Sequence, residues 1–165
     1  MAVFNAARLA AVVLILGTAP MAMAEGTSVA FGGLKADTSL PVEMKSDALS
    51  VNQADGNAVF TGNVIVTQGA MKLSAAEIRV EYSADKKAIE TLYATGGVLL
   101  VNASDAARAD QAVYTISTGE VVMTGNVLLT QGQAAMSSQK LIIDLKSGSG
   151  RMEGRVTTTF TPGAN

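Results

Sequence analysis

The chain contains no cysteine, histidine or tryptophan, and only four Phe, three Tyr and three Pro in 165 residues. Without Cys it can form no disulfides, so its core must hold by packing alone. Lacking both His and Cys, it also lacks the commonest general base, the usual transition-metal ligands and the thiol nucleophile. P-loop, GxSxG and EF-hand patterns are absent as well. Charge is sparse, with 12 Lys and Arg against 14 Asp and Glu. That balance provides no basic face for nucleic acid. Two carboxylate pairs could be imagined, Asp105 with Asp110 and Glu77 with Glu81, but all four read as solvated turn or outward strand positions. No catalytic residue, metal or cofactor is expected.

One apolar run stands out, Leu9 to Gly17, preceded by Arg8 and followed by Ala22-Met23-Ala24. This is the pattern of a secretory signal peptide over residues 1–24, cleaved after Ala24. The run is short for a membrane span of ~20 residues, although an uncleaved N-terminal anchor is the other reading. Residues 25–41, rich in Gly, Ser, Thr and Ala, read as a loose leader with an edge strand near Val29 to Phe31. Pro41 marks the entry to a single domain over 42–160, and 161–165 form a tail.

What the chain does have is repetition. Phe60-Thr-Gly-Asn-Val-Ile-Val-Thr-Gln-Gly69 returns as Met123-Thr-Gly-Asn-Val-Leu-Leu-Thr-Gln-Gly132, identical at seven of ten positions. Weaker copies surround Gly96 and Gly154. Gly62, Gly96, Gly125 and Gly154 are spaced by 34, 29 and 29 residues. A second marker keeps near step with them: Leu49-Ser-Val51, Ile78-Arg-Val80, Ala112-Val-Tyr114 and Leu141-Ile-Ile143. The spacing predicts about four units of ~30 residues, each with an alternating strand, a turn, a return strand and a glycine break. A glycine inside a strand pattern marks a bulge or bend.

Strand alternation then assigns faces. Leu49, Val51, Phe60, Val64, Val66, Ile78, Val80 and Tyr82 fall on one side. Val98, Tyr114, Ile116, Met123, Val127, Leu129, Leu141 and Ile143 fall on the same side in the later units. Glu77, Arg79, Glu81, Asn63, Thr67, Asn126 and Thr130 oppose them. Ile65, Leu99, Leu128 and Ile142 also fall on that outer face, through bulges that shift the alternation or through covered outer patches. With no long helical pattern after Ala24, the prediction is an all-β protein of a dozen or more short strands, rolled or folded into facing sheets. Its interior is either a plain core or a groove for alkyl chains.

Val59-Phe-Thr-Gly-Asn-Val-Ile-Val-Thr-Gln-Gly69 with Leu73-Ser-Ala-Ala-Glu77 closely resembles the opening repeat of the LptA/OstA-like lipopolysaccharide-transport proteins. The resemblance spans about Val42 to Thr159. It implies a periplasmic protein with a twisted antiparallel β-jellyroll, binding lipopolysaccharide by its acyl chains in an apolar groove. It also implies head-to-tail self-association into a bridge from an inner-membrane export complex to an outer-membrane translocon. On that basis the sixteen inward residues become lipid-facing candidates, with Ile78, Val80, Tyr114, Val127 and Ile143 foremost. The leader near Val29 and the strand Thr157 to Phe160 become the joining edges. A dry structural β-repeat protein and a membrane-anchored subunit of the same system are the alternatives.

Overall fold

The computed structural model describes residues 27–162 apart from 31, 53, 55 and 86. The expected signal peptide, its cleavage point and Phe31 lie outside the described residues. The strands are β1 (Thr27–Ala30), β2 (Glu43–Lys45), β3 (Ala48–Val51), β4 (Ala58–Gln68), β5 (Met71–Tyr82) and β6 (Ile89–Asn102). They continue with β7 (Asp105–Thr115), β8 (Glu120–Gln131), β9 (Ala134–Asp144), β10 (Ser149–Glu153) and β11 (Thr157–Phe160). All eleven belong to one antiparallel sheet in the order β1-β10-β9-β8-β7-β6-β5-β4-β2, with β11 also on β9 and β3 also on β4. From β4 to β10 each strand pairs with the next in the chain, which short turns permit only for antiparallel neighbours. The fold is an all-β jellyroll that does not close on itself.

The strands are longer than the sequence pattern predicts. Those from β4 to β9 run 11 to 14 residues, because the glycine breaks bend strands without ending them. Register shifts fall between Thr61 and Val64, Thr95 and Val98, and Thr124 and Val127. Each bend holds two consecutive residues of positive φ: Gly62-Asn63 at 76° and 46°, Gly96-Gly97 at 82° and 84°, and Gly125-Asn126 at 79° and 47°. Gly154-Arg155, at 80° and 49°, makes the matching break between β10 and β11. Glycine is required at the first position on two counts. The backbone lies where L-residues are strained, and a Cβ on Gly62 or Gly125 would stand 2.5 Å from the carboxylate of Asp47 or Asp110. Asparagine tolerates the second position and is tied down there. Asn63 Nδ2 donates to Asp47 at 2.8 Å, and Asn126 Nδ2 donates to Asp110 at 2.8 Å.

These bends line up across the sheet and fold it into two facing halves. One half contains residues 64–68, 71–75, 98–102, 105–109, 127–131 and 134–138, flanked by β2 and β11. The other contains 58–61, 77–82, 89–95, 111–115, 120–124 and 140–144, flanked by β3, β10 and β1. We call them the amide half and the tyrosine half, after the polar groups they bring to the interior. Between them lies a single apolar core.

Candidate functional site

The core is walled by the inward face of both halves. Val64, Val66, Ile78, Val80, Val98, Tyr114, Met123, Val127, Leu129, Leu141 and Ile143 are all buried there. Phe60 and Ile116 are half-buried against them. Ile116 lies just past β7 in a turn, where its N–H donates to the Glu90 carbonyl at 3.0 Å.

Three candidate residues are exposed, each for a local reason. Leu49 and Val51 stand opposite Phe60 and Ala58, so they share the inward face. They are nevertheless 56% and 59% exposed, because β3 is an edge and no described strand lies beyond it. Tyr82 follows a register irregularity after Glu81 at the end of β5, and this turns it to solvent.

Other interior residues were missed because alternation changes phase on every second strand. Across the bends of β4, β6 and β8 the inward phase is kept, as in Phe60 and Val64. On β5, β7 and β9 it slips by one residue, so that Ala75 and Ile78, Ala109 and Ala112, and Ser138 and Leu141 all point inward. A bulge puts one extra residue on one strand of a pair, which produces this asymmetry. Leu73, Ala107 and Met136 are buried for the same reason. Leu128 remains exposed on the outer face, and Ile65 and Leu99 line a shallow outer hollow beside the bends.

Opposite the line of bends the two halves end in hairpin turns, and here the lining becomes polar. Gln68, Asn102 and Gln131 each close a strand of the amide half at an inward position, and the first two are buried. Asp105, read from sequence as solvated, is only 2% exposed. It begins β7 inside the turn from Asn102, accepts from Gln131 Nε2 at 2.8 Å, and has the backbone of Gly33 directly against it. From the other half, Tyr114 donates its hydroxyl proton to Gln68 Oε1 at 2.6 Å. This bond clasps the halves together across the core. Burial pushes the Tyr114 phenol up to about 12.

The leader closes this mouth. The strand β1 lies where an edge strand was expected, at Thr27–Ala30. The residues after it, expected to be loose, form a 3-10 turn at Gly32–Leu34 and a strap that turns at Thr38 and Ser39 before β2. The strap runs from the tyrosine half at one end of the roll to the amide half at the other. Leu34 is fully buried in the core. Ala36 N–H donates to the Leu145 carbonyl at 2.8 Å. Asn102 Nδ2 donates to the Lys35 carbonyl at 2.7 Å, and Gln68 Nε2 donates to the carbonyls of Thr38 and Leu40 at 3.0 and 2.8 Å. The sequence did carry a signal for the rim: the repeated Gln68-Gly69 and Gln131-Gly132, with Asn102 in the equivalent slot.

Two of the outer carboxylates are engaged in surface contacts, Asp110 with Asn126 and Glu81 in a small cluster. Glu81 pairs with Arg79 and accepts from the Tyr93 hydroxyl at 3.0 Å, while the Arg79 guanidinium lies 4.1 Å from the Tyr93 ring centroid. The hydrogen bond from Arg79 holds the Glu81 carboxyl below its ordinary range. Among the described residues no three His, Cys, Asp or Glu side chains gather as a metal site.

Known proteins resemble this chain in sequence and in fold. The family described as LptA/(LptD N-terminal domain) LPS transport protein matches residues 43–149. An uncharacterized protein of Rhizobium meliloti is 25% identical over 155 residues, covering 87% of this chain and 83% of its own. The lipopolysaccharide export system protein LptA of Escherichia coli K12 is 29% identical over 139 residues, covering 76% of this chain and 74% of its own. The crystal structure of LptH, the LptA-homologous periplasmic component of the lipopolysaccharide transport device of Pseudomonas aeruginosa, superposes with a TM-score of 0.68 at 17% identity. That match covers 77% of this chain and 99% of LptH. The repeated strands, the bent open roll and the matched length agree, and the chain belongs to the LptA/LptD N-terminal-domain family of LPS transport proteins.

Proposed function

We propose that this protein is a periplasmic carrier of lipopolysaccharide, holding the acyl chains between the two half-sheets and working with inner- and outer-membrane partners of the same transport system. The observation that carries the reading is the continuity of the apolar inward face. It runs from Ile78 and Val80 to Leu49 and Val51, where it emerges uncovered at an open edge. An apolar lining with a few polar groups at its mouth is the composition of a lipid site. The interior is tightly packed, so acyl chains enter only if the halves part, with the bends as hinge. Family membership and the periplasmic setting named for LptH favour the same reading.

Head-to-tail assembly belongs to this proposal. Among the described residues, β2 and β3 have no partner on their outer sides at one end, and β1 and β11 have none at the other. Open edges invite pairing with another chain, and joining unlike ends would extend the apolar face from copy to copy. Leu49, Val51 and the 64% exposed Phe160 would be covered in such a joint. No catalytic step is needed.

A photo-crosslinking residue at Val80, with Arg79 as the outward control, tests the carrier in cells. Lipopolysaccharide adduct at Val80 alone is the expected result. Adduct at Arg79 alone would keep the carrier and reverse the face. Silence at Val80, Leu49 and Val127 together would leave a dry structural β-roll, the reading that the tight packing favours.

A further inference from the structure

The strap across the mouth has the layout of the ligand it excludes. Resting on the carrier reading, we propose that Gln68 and Asn102 form the polar end of the lipid site and bind the linkage of an amide-joined acyl chain. Residues 33–42 occupy that site until the lipid displaces them. Carboxamides inside an apolar lining are costly unless bonded, and these two send their donors to the main-chain carbonyls of Lys35, Thr38 and Leu40. A main-chain carbonyl is chemically the carbonyl of a secondary amide, the group that an N-acyl chain carries at its root. Next to those carbonyls, Leu34 inserts its side chain fully into the core, where an alkyl chain would lie. The strap thus offers an apolar group inside and amide carbonyls at the rim.

The complement is completed by an acceptor. Asn102 is 3% exposed, and its Oδ1 has no donor among the described residues. Its orientation is set by the bond from Nδ2 to Lys35. An amide linkage supplies both a carbonyl for the carboxamide donors and an N–H for this oxygen. An ester supplies only the carbonyl, and an ether lacks both. Asp105, under Gly33, would gain room for a further ligand donor once the strap leaves.

The test uses the purified full-length chain and three synthetic glycolipids of one head group and one chain length, joined by amide, ester or ether. Binding should weaken in that order, by about thirtyfold from amide to ether, as two hydrogen bonds of ordinary net strength would give. The double variant Gln68→Met with Asn102→Leu should bring the three within about threefold. Equal binding of all three by the unaltered chain would overturn the rim assignment and leave the carrier intact. Binding of none would overturn both. If the double variant does not fold, the order shown by the unaltered chain decides. Leu34→Ala, which weakens the competing strap, should tighten binding of all three by about tenfold. Unchanged or weaker binding would remove the strap as competitor.

Discussion

The back of the roll and its mouth hold the same two half-sheets together by opposite means. At the back, every long strand passes from one half to the other, and the bends are repeated, local and covalently continuous. At the mouth, among the described residues, the hydrogen bonds that join the halves are the Tyr114–Gln68 bond and those of a single strap, to Gln68, Asn102 and Leu145. The back can flex but cannot part. Parting the mouth breaks a handful of hydrogen bonds, each of modest net strength, and withdraws one leucine. It also separates the two packed faces of the core, a loss that an apolar occupant would have to replace. On the carrier reading, the interior opens opposite its repeats.

The largest effect should come from attacking the back. Gly125→Val places a β-branched residue at a φ of 79° with its Cβ against Asp110. It should lower stability by about 3 kcal/mol or more, measured by denaturant unfolding. A loss below about 1 kcal/mol would mean that the bend is not under steric control.

Next comes the mouth. Leu34→Ala should cost about 2–4 kcal/mol if the strap is part of the cooperative fold. If the mouth instead opens on its own, global unfolding will barely change, while hydrogen exchange at the Ala36 amide will quicken. That exchange measurement separates a hinge-and-lid molecule from a uniform one.

Tyr114→Phe cuts the clasp and leaves Gln68 Oε1 without its donor, an expected loss of about 1–2 kcal/mol. It also has a pH signature. Burial raises the folded phenol from its usual 10.0 to about 12, while the unfolded phenol ionises near its ordinary value. The contribution is therefore intact below pH 10 and is lost as pH rises towards 12, at up to roughly 1.4 kcal/mol per pH unit. The Phe variant should lack that part of the alkaline loss. An unchanged alkaline slope would place Tyr114 in contact with water.

The smallest effect should be Gly97→Asn. A Cβ there meets nothing, and asparagine already occupies the equivalent places at φ of 46° and 47°. A change within about 1 kcal/mol is expected. A larger loss would show that the central bend differs from its neighbours.

The same contrast separates what the sequence reveals of the fold from what it hides. The back was legible, since Gly62-Asn63 and Gly125-Asn126 repeat and glycine inside an alternating pattern signals a bend. So was most of the lining, because Val64, Val80 and Val127 alternate cleanly on their strands. The slip of phase on β5, β7 and β9 was not legible, because the extra residue sits on the neighbouring strand and leaves no local mark at Ala75 or Ala109. Exposure at Leu49 and Val51 depends on having no neighbour, which alternation does not encode. The mouth was least legible. Leu34, Lys35 and Ala36 lie in a stretch without period, and their meaning comes from Asn102 and Leu145, far along the chain. The burial of Asp105 is illegible for the same reason, since the strap backbone packed against it, at Gly33, and the donor that it accepts from, Gln131, both lie far from it along the chain.

That long separation sets an order of events. The meander from β4 to β10 forms by pairing neighbours, where loop closure is short. The strap is made early, yet Ala36 has no partner until Leu145 exists, and Asn102 lies 67 positions from the carbonyl that it bonds. Contacts between distant parts of a chain form slowly. Closure of the mouth is therefore expected to be the last step of folding. Until that step a nascent roll has its apolar trough open to whatever apolar molecule is nearby, and the first occupant that its own strap must compete with can arrive before the protein is finished.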